Sequence, residues 1–156
     1  MNAPSTTSAA YTDHSPGDAK TTENVRIVER FLDALQVQDL DTLEALAADD
    51  LVWENVGSPK FKGRSRVMRA IRACEGRLFI EVCIHRIAGA GDTVLVERTD
   101  AIVIGRLRMQ FWACAVFELR GGRITLWRDY FDYLAFARAA LRGLLGVALP
   151  SIRRSF

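Results

Sequence analysis

Thr93-Val-Leu-Val-Glu-Arg-Thr-Asp-Ala-Ile-Val-Ile104 is the stretch on which the fold turns. Its even positions read Val94, Val96, Arg98, Asp100, Ile102 and Ile104, and alternate side chains of a strand share one face. That face is apolar except for an arginine and an aspartate at its centre. Buried ionised groups are costly unless paired, so this couple needs partners and a reason to be there. A second stretch, Ile124 to Phe131, reads as a strand with Thr125, Trp127, Asp129 and Phe131 on one face. Two carboxylates sharing one guanidinium among apolar neighbours point to acid-base chemistry.

Working outward, four strand-like runs follow one another: Leu78 to Ala88, Thr93 to Ile104, Leu107 to Leu119 and Arg123 to Phe131. Turn signals at 89–92, Gly105 and Gly121-Gly122 separate them, which predicts consecutive antiparallel pairing. Upstream, Val25, Val28, Phe31, Leu32 and Leu35 repeat at helical spacing, with Thr21 or Thr22 as the cap and an end near Gln38. Asp41 and Glu44 have capping-box spacing for a short helix on Leu40, Leu43 and Leu46. Leu51 to Val56 reads as a strand broken by Gly57-Ser58-Pro59. Ser65 is the expected cap of a third helix bearing Val67, Met68, Ile71 and Cys74, which Gly76 closes. A final helix follows Asp132, its expected cap.

The class this predicts is α+β: N-terminal helices packed on a strongly curved, mixed or antiparallel sheet that forms a cone-shaped pocket, with a C-terminal helix. One face of each strand lines such a half-open cone. The third long strand would contribute Leu107, Met109, Phe111, Ala113, Ala115 and Phe117. Leu32, Leu35, Ile80, Ile102, Phe111, Phe131 and Phe136 are the expected pocket residues.

The chain has 156 residues, 49% hydrophobic and 26% charged, enough for one domain with an ordinary core. Residues 1–20, poor in basic and large apolar side chains, read as a disordered leader, and 21–156 as a single domain. The formal charge of +2, without a basic stripe or zinc spacing, gives no argument for nucleic acid. Arg138, Arg142, Arg153 and Arg154 read as a solvated helix face and tail. The run Leu134 to Leu149 is interrupted by arginines and too short for a comfortable membrane span, so a cytoplasmic protein is expected. Cys74, Cys83 and Cys114 lack CxxC spacing and read as reduced thiols; His85, two positions from Cys83, is a weaker candidate for a nucleophilic couple. No Gly-rich phosphate loop is present, and neither a cofactor nor a metal is implied.

The motifs Glu97-Arg98-Thr99-Asp100 and Trp127-Arg128-Asp129-Tyr130-Phe131-Asp132 resemble those of the limonene epoxide hydrolase family, in element order across the whole folded region. The resemblance implies the curved cone shared with ketosteroid isomerase-like proteins. It also implies hydrolysis of a lipophilic epoxide to a vicinal diol through an Asp-Arg-Asp triad, with no metal and no covalent intermediate. By motif position, Asp100 is the acid that protonates the epoxide oxygen, Asp129 the base that deprotonates water, and Arg98 the bridge. The Trp53-Glu54-Asn55 triplet resembles the family's aromatic-x-Asn element, so Asn55 and Trp53 are the expected water ligands. Trp53 stands where the pattern has tyrosine, and an indole N–H donates but cannot accept. A homodimer is the implied assembly.

The residues alone leave alternatives. Arg98 with Asp100 also reads as a structural ion pair on a sheet surface, Asp129 as a strand-end residue and Asn55 as a turn former; their joint occurrence in motif order favours the triad. An isomerase or cyclase of the same cone, moving a proton next to a carbonyl, is the alternative activity. A non-catalytic binder of hydrophobic small molecules is the other.

Overall fold

The computed structural model describes residues 16–148. Helix α1 (Pro16–Val37) leads to α2 (Leu40–Leu46), β1 (Ala47–Asn55), a two-residue β2 (Phe61–Lys62) and α3 (Arg64–Cys74). Then come β3 (Phe79–Ala90), β4 (Thr93–Ile104), β5 (Leu107–Arg120), β6 (Arg123–Phe131) and α4 (Tyr133–Ala148). The six strands form one open mixed sheet in the order β2-β1-β6-β5-β4-β3. The long strands pair consecutively and antiparallel, while β1 runs parallel to β6. The fold is the expected α+β cone with helices on its inner side.

Local chemistry differs from expectation at several boundaries. Residues 16–20, whose composition suits a leader, open α1; residues 1–15 of that leader lie outside the described residues, as do Arg153 and Arg154. Neither Thr21 nor Thr22 caps α1, because the helix already begins at Pro16; the Thr21 hydroxyl accepts from Gly91 N (3.2 Å) and so ties the helix to the β3–β4 turn. Buried Asn24 adds a bond from Nδ2 to Gly91 O (2.8 Å). Asp39, not Asp41, caps α2: its carboxylate accepts from Thr42 N and Oγ1 at 3.1 and 2.6 Å. Gly63, with φ of 89°, stands at the α3 N-terminus in place of Ser65. Asp132 does cap α4, accepting at Oδ1 from Leu134 N (2.8 Å) and Ala135 N (3.2 Å).

The core lies between the α1–α2 pair and the inner sheet face. Phe31 sits at its centre, edge-on to Phe117 (6.0 Å between centroids) and Trp127 (5.3 Å), with Val28, Leu32, Val94 and Val96 around it. The even positions of β4 point inward as expected from Val94 to Asp100, where Val94, Val96, Arg98 and Asp100 are all buried; at the strand end Ile102 is half-buried and Ile104 is exposed. In β6 the inward face differs. A register shift between Glu118 and Leu119 buries Ile124 where plain alternation predicts Thr125, and Thr125 Oγ1 instead donates to Glu118 O (3.1 Å). Beyond that bulge the alternation resumes with Trp127 and Asp129 buried.

Helix α4 packs along β5. Gly143 makes that approach possible, since a Cβ there would fall 2.7 Å from Arg108 O. Leu134, Leu141, Leu144 and Leu145 of α4 remain exposed.

Candidate active site

Pairing register brings the polar residues together. Arg98 on β4 faces Ala113 on β5, which faces Phe131 on β6; Asp129 faces Ala115, which faces Val96. To meet Asp129, the Arg98 side chain must therefore cross β5, and two alanines between Phe111 and Phe117 leave it room. Its Nη2 donates to Asp129 Oδ1 at 2.7 Å, and its Nε donates to both Asp100 oxygens at 2.8 and 3.0 Å. All three side chains are buried, Arg98 at 3% exposure. The face slip that would make this a surface ion pair does not occur.

Parallel pairing of β1 with β6 adds the remaining polar groups. Trp53 pairs with Trp127 and Asn55 with Asp129, so the aromatic-x-Asn triplet lies beside the aromatic-x-Asp triplet in register. The two indoles stack at 5.0 Å and 17°, and Phe61 of β2 stacks on Trp53 at 5.2 Å and 24°. Glu54 alternates outward, as expected, where Arg128 (2.8 Å) and Lys60 (3.0 Å) bind it. The indole N–H groups of Trp53 and Trp127 and the Nη1 of Arg98 are buried without a hydrogen-bond partner.

These groups open on a cavity of about 320 Å³ with mostly hydrophobic walls. Of the expected pocket residues, Leu35, Ile80, Ile102, Phe111, Phe131 and Phe136 line it, with Trp53 and Asn55. Leu32 does not. One helical turn back from Leu35, it is fully enclosed in the α1–sheet core. Ala115 and Phe117 are likewise core, and Leu107 and Met109 fall outside the lining. The cavity also takes in Gln38, Ile71, Cys74, Leu78, Val82 and Trp127, which the sequence pattern does not assign to it. Ile71 with Cys74, and Val82 two positions beyond Ile80, do share periodic apolar faces, and that was the available signal.

Electrostatics separate the members of the triad. Burial is the largest influence on Asp100 and lifts its carboxyl above the ordinary 3.8; the charge and hydrogen bonds of Arg98 oppose that lift without cancelling it, and nearby Asp129 reinforces it. For Arg98, burial disfavours the cation, but the charges of Asp129 and Asp100 and their hydrogen bonds more than compensate. The guanidinium is therefore a fixed positive centre, and burial raises the proton affinity of the Asp100 carboxyl. His85 lies elsewhere: it is exposed and shares a 2.7 Å hydrogen bond with Thr99. Among the described residues, no three His, Cys, Asp or Glu side chains converge to hold a metal ion.

A carboxyl of raised proton affinity, a guanidinium and a second carboxyl thus meet beside a hydrophobic cavity. Comparison with known proteins identifies the family of the chain. The family described as limonene-1,2-epoxide hydrolase catalytic domain matches residues 22–142. The chain is 51% identical over 145 residues to epoxide hydrolase EphG of Mycobacterium tuberculosis (strain ATCC 25618 / H37Rv), spanning 93% of this chain and 97% of that protein. A solved M. tuberculosis LEH-like epoxide hydrolase superposes with a TM-score of 0.85 at 51% identity, over 87% of this chain and 97% of the other. A protein with a ketosteroid isomerase-like fold from Catenulispora acidiphila DSM 44928 shares the fold alone, at 19% identity, a TM-score of 0.64 and 73% and 91% coverage.

Proposed function

The chain belongs to the limonene-1,2-epoxide hydrolase family and is an epoxide hydrolase; from that premise we propose that it adds water to a lipophilic epoxide in one step through Asp100, Arg98 and Asp129. The observation that supports this reading is the buried line Asp100–Arg98–Asp129 at the wall of a hydrophobic cavity.

Opening an epoxide without a covalent intermediate requires a proton to reach the oxygen while water loses one. Asp100, whose burial favours the neutral acid, donates to the epoxide oxygen as the C–O bond breaks. Asp129 accepts a proton from the water whose oxygen forms the new C–O bond. Asp100 ends ionised and Asp129 protonated, so one proton has crossed the site and the diol is complete. Arg98, bonded to both, keeps a positive charge beside whichever carboxylate is negative. The enzyme resets when Asp129 returns its proton to solvent and Asp100 recovers one.

The water's two O–H groups donate hydrogen bonds to Asp129, which takes the proton, and to the Asn55 side-chain oxygen, which keeps the other O–H oriented, on the strand that the β1–β6 pairing holds alongside. One lone pair attacks the carbon. The other can accept from the Trp53 N–H, a donor with no protein partner. With both neighbouring rings stacked against it, Trp53 is held in place for that task. The substrate is a lipophilic epoxide because Leu35, Ile80, Ile102 and the Phe111–Phe131–Phe136 cluster offer it only hydrocarbon surface.

We extend the proposal to a homodimer in the cytoplasm. Leu95, Trp112 and Tyr130 on the outer sheet face and the exposed leucines of α4 are the surfaces for a second copy. The three cysteines are all free thiols, in keeping with a reducing compartment.

Turnover of an epoxide panel in water enriched in heavy oxygen tests the reaction. The label is expected in the diol. A label-free rearranged product would instead indicate an isomerase, and epoxide recovered unchanged would indicate a carrier.

A further inference from the structure

One wall of the cavity is built where three parts of the chain meet. Leu35 comes from the last turn of α1 and Gln38 from the residue just past it, α3 supplies Ile71 and Cys74, and Leu78 belongs to the loop that leads into β3. Residues 75–77 of that loop are exposed. Its backbone hydrogen bonds are local: Glu75 N to Arg72 O (3.1 Å), and Arg77 N and Leu78 N to Cys74 O (3.1 and 2.9 Å). Gln38 reaches it from across the cavity rim. Its Nε2 donates to Leu78 O at 2.8 Å, and its Oε1 accepts from Gly76 N at 3.0 Å.

The backbone of Gln38 is unusual in a way that bears on its role. It has φ of 57°, the one positive value at a non-glycine among the described residues. The chain turns there from α1 into α2, fixed by Asp39 N donating to Ala34 O at 2.9 Å. Glycine is the residue that such a left-handed helix end favours. A glutamine there bears conformational strain, and strain of this kind persists where surrounding contacts hold it in place. The two bonds to the 75–78 loop are such contacts. Gln36, two positions earlier, ties the same end of α1 to the sheet edge, accepting from Val82 N at 2.8 Å.

We propose that Gln38 determines substrate specificity by clamping the 75–78 loop against α1, which limits the bulk of the epoxide that can reach Asp100. With the clamp closed, Leu78, Cys74 and Ile71 share the wall with Leu35, and the cavity of about 320 Å³ lies at the small end of ligand pockets, which run from about 300 to 1,000 Å³. Released, the exposed loop can swing outward and widen the rim. The kinetic consequence rests on the epoxide hydrolase reading; the clamp itself does not.

The test is Gln38→Gly, which suits the positive φ and removes the amide. Hydrogen exchange at the Gly76 N–H, deprived of its acceptor, is expected to accelerate by about tenfold, the worth of one hydrogen bond. In the same variant, kcat/KM for trans-stilbene oxide relative to cyclohexene oxide is expected to rise by about fivefold or more, through KM, while the pH dependence of kcat keeps its midpoint. Gln38→Asn, too short to span both partners, should follow the glycine variant. Unchanged exchange at Gly76 overturns the clamp, and accelerated exchange with an unchanged substrate ratio overturns its role in specificity. If the wild type opens no epoxide of any size, the reaction reading fails and takes the kinetic half with it, while the exchange measurement still decides the clamp.

Discussion

Replacing each carboxylate of the triad with its amide should stop the reaction in both cases but affect stability differently. Asp100→Asn puts a neutral isostere where burial already favours a neutral acid; the amide oxygen can still accept from Arg98 Nε, while the amide NH2 replaces the second acceptor. The expected cost is about 1 kcal/mol, the worth of the one hydrogen bond lost. Asp129→Asn removes the carboxylate bonded to Arg98 Nη2 at 2.7 Å. A hydrogen bond to a charged group is worth about 1.5–3 kcal/mol, which for 156 residues lowers Tm by about 3–12 °C. The full penalty for stranding a buried cation is not reached, because Asp100 can release its proton to balance Arg98.

The pH dependence has a definite sign. A carboxyl raised above its ordinary 3.8 binds its proton more tightly in the fold, so its contribution to stability is fully present below 3.8 and fades as pH rises through the raised value. Asparagine has no such proton, so Asp100→Asn should gain on the wild type as pH rises across that window. Thermal melts of the wild type and both variants at several pH values, with diol formation measured alongside, give the whole comparison. Loss of general acid or base help predicts a fall in turnover of about 10²–10⁴-fold in each variant. If Asp100→Asn lowers Tm as much as Asp129→Asn, or keeps full turnover, the proton has been placed on the wrong acid.

Trp53→Phe keeps the ring stack and deletes the N–H, and is expected to lower kcat by about tenfold, the worth of a single neutral hydrogen bond; a variant as fast as the wild type would remove Trp53 from the water site. A charge placed on the outer sheet face by Trp112→Glu, at a residue 51% exposed, is expected to shift the protein from dimer to monomer in sedimentation equilibrium. A wild type that sediments as a monomer would refute the dimer instead.

The long strands are legible in the sequence because alternation and glycine turns mark them without help from distant residues. β4 and β6 have the expected bounds, and Arg98, Asp100 and Asp129 lie on the expected faces. Features that depend on distant partners are harder to read. The tie from Thr21, inside α1, to Gly91 is invisible until the fold brings the two together, and nothing near Thr125 in the sequence announces the bulge that turns it outward. Leu32 and Leu35 share a helical face, yet only the depth of packing decides that one is core and the other cavity wall. Gln38 carries no periodic signal at all, because its role comes from a backbone angle and a loop 38 positions away.

The parallel join of β1 to β6 also governs when this enzyme can first work. Glu54 and Arg128, neighbours across that join, are 74 positions apart in the chain. Closing so long a loop is entropically slow, and among the described residues β6 is the last strand to leave the ribosome. Asn55 therefore waits for β6 before it meets Asp129, and on the proposed mechanism a partly synthesised or partly refolded chain that already has its β3–β4–β5 meander is expected to be inert. Recovery of activity after denaturation would report the final zipping of the sheet, not the collapse that precedes it.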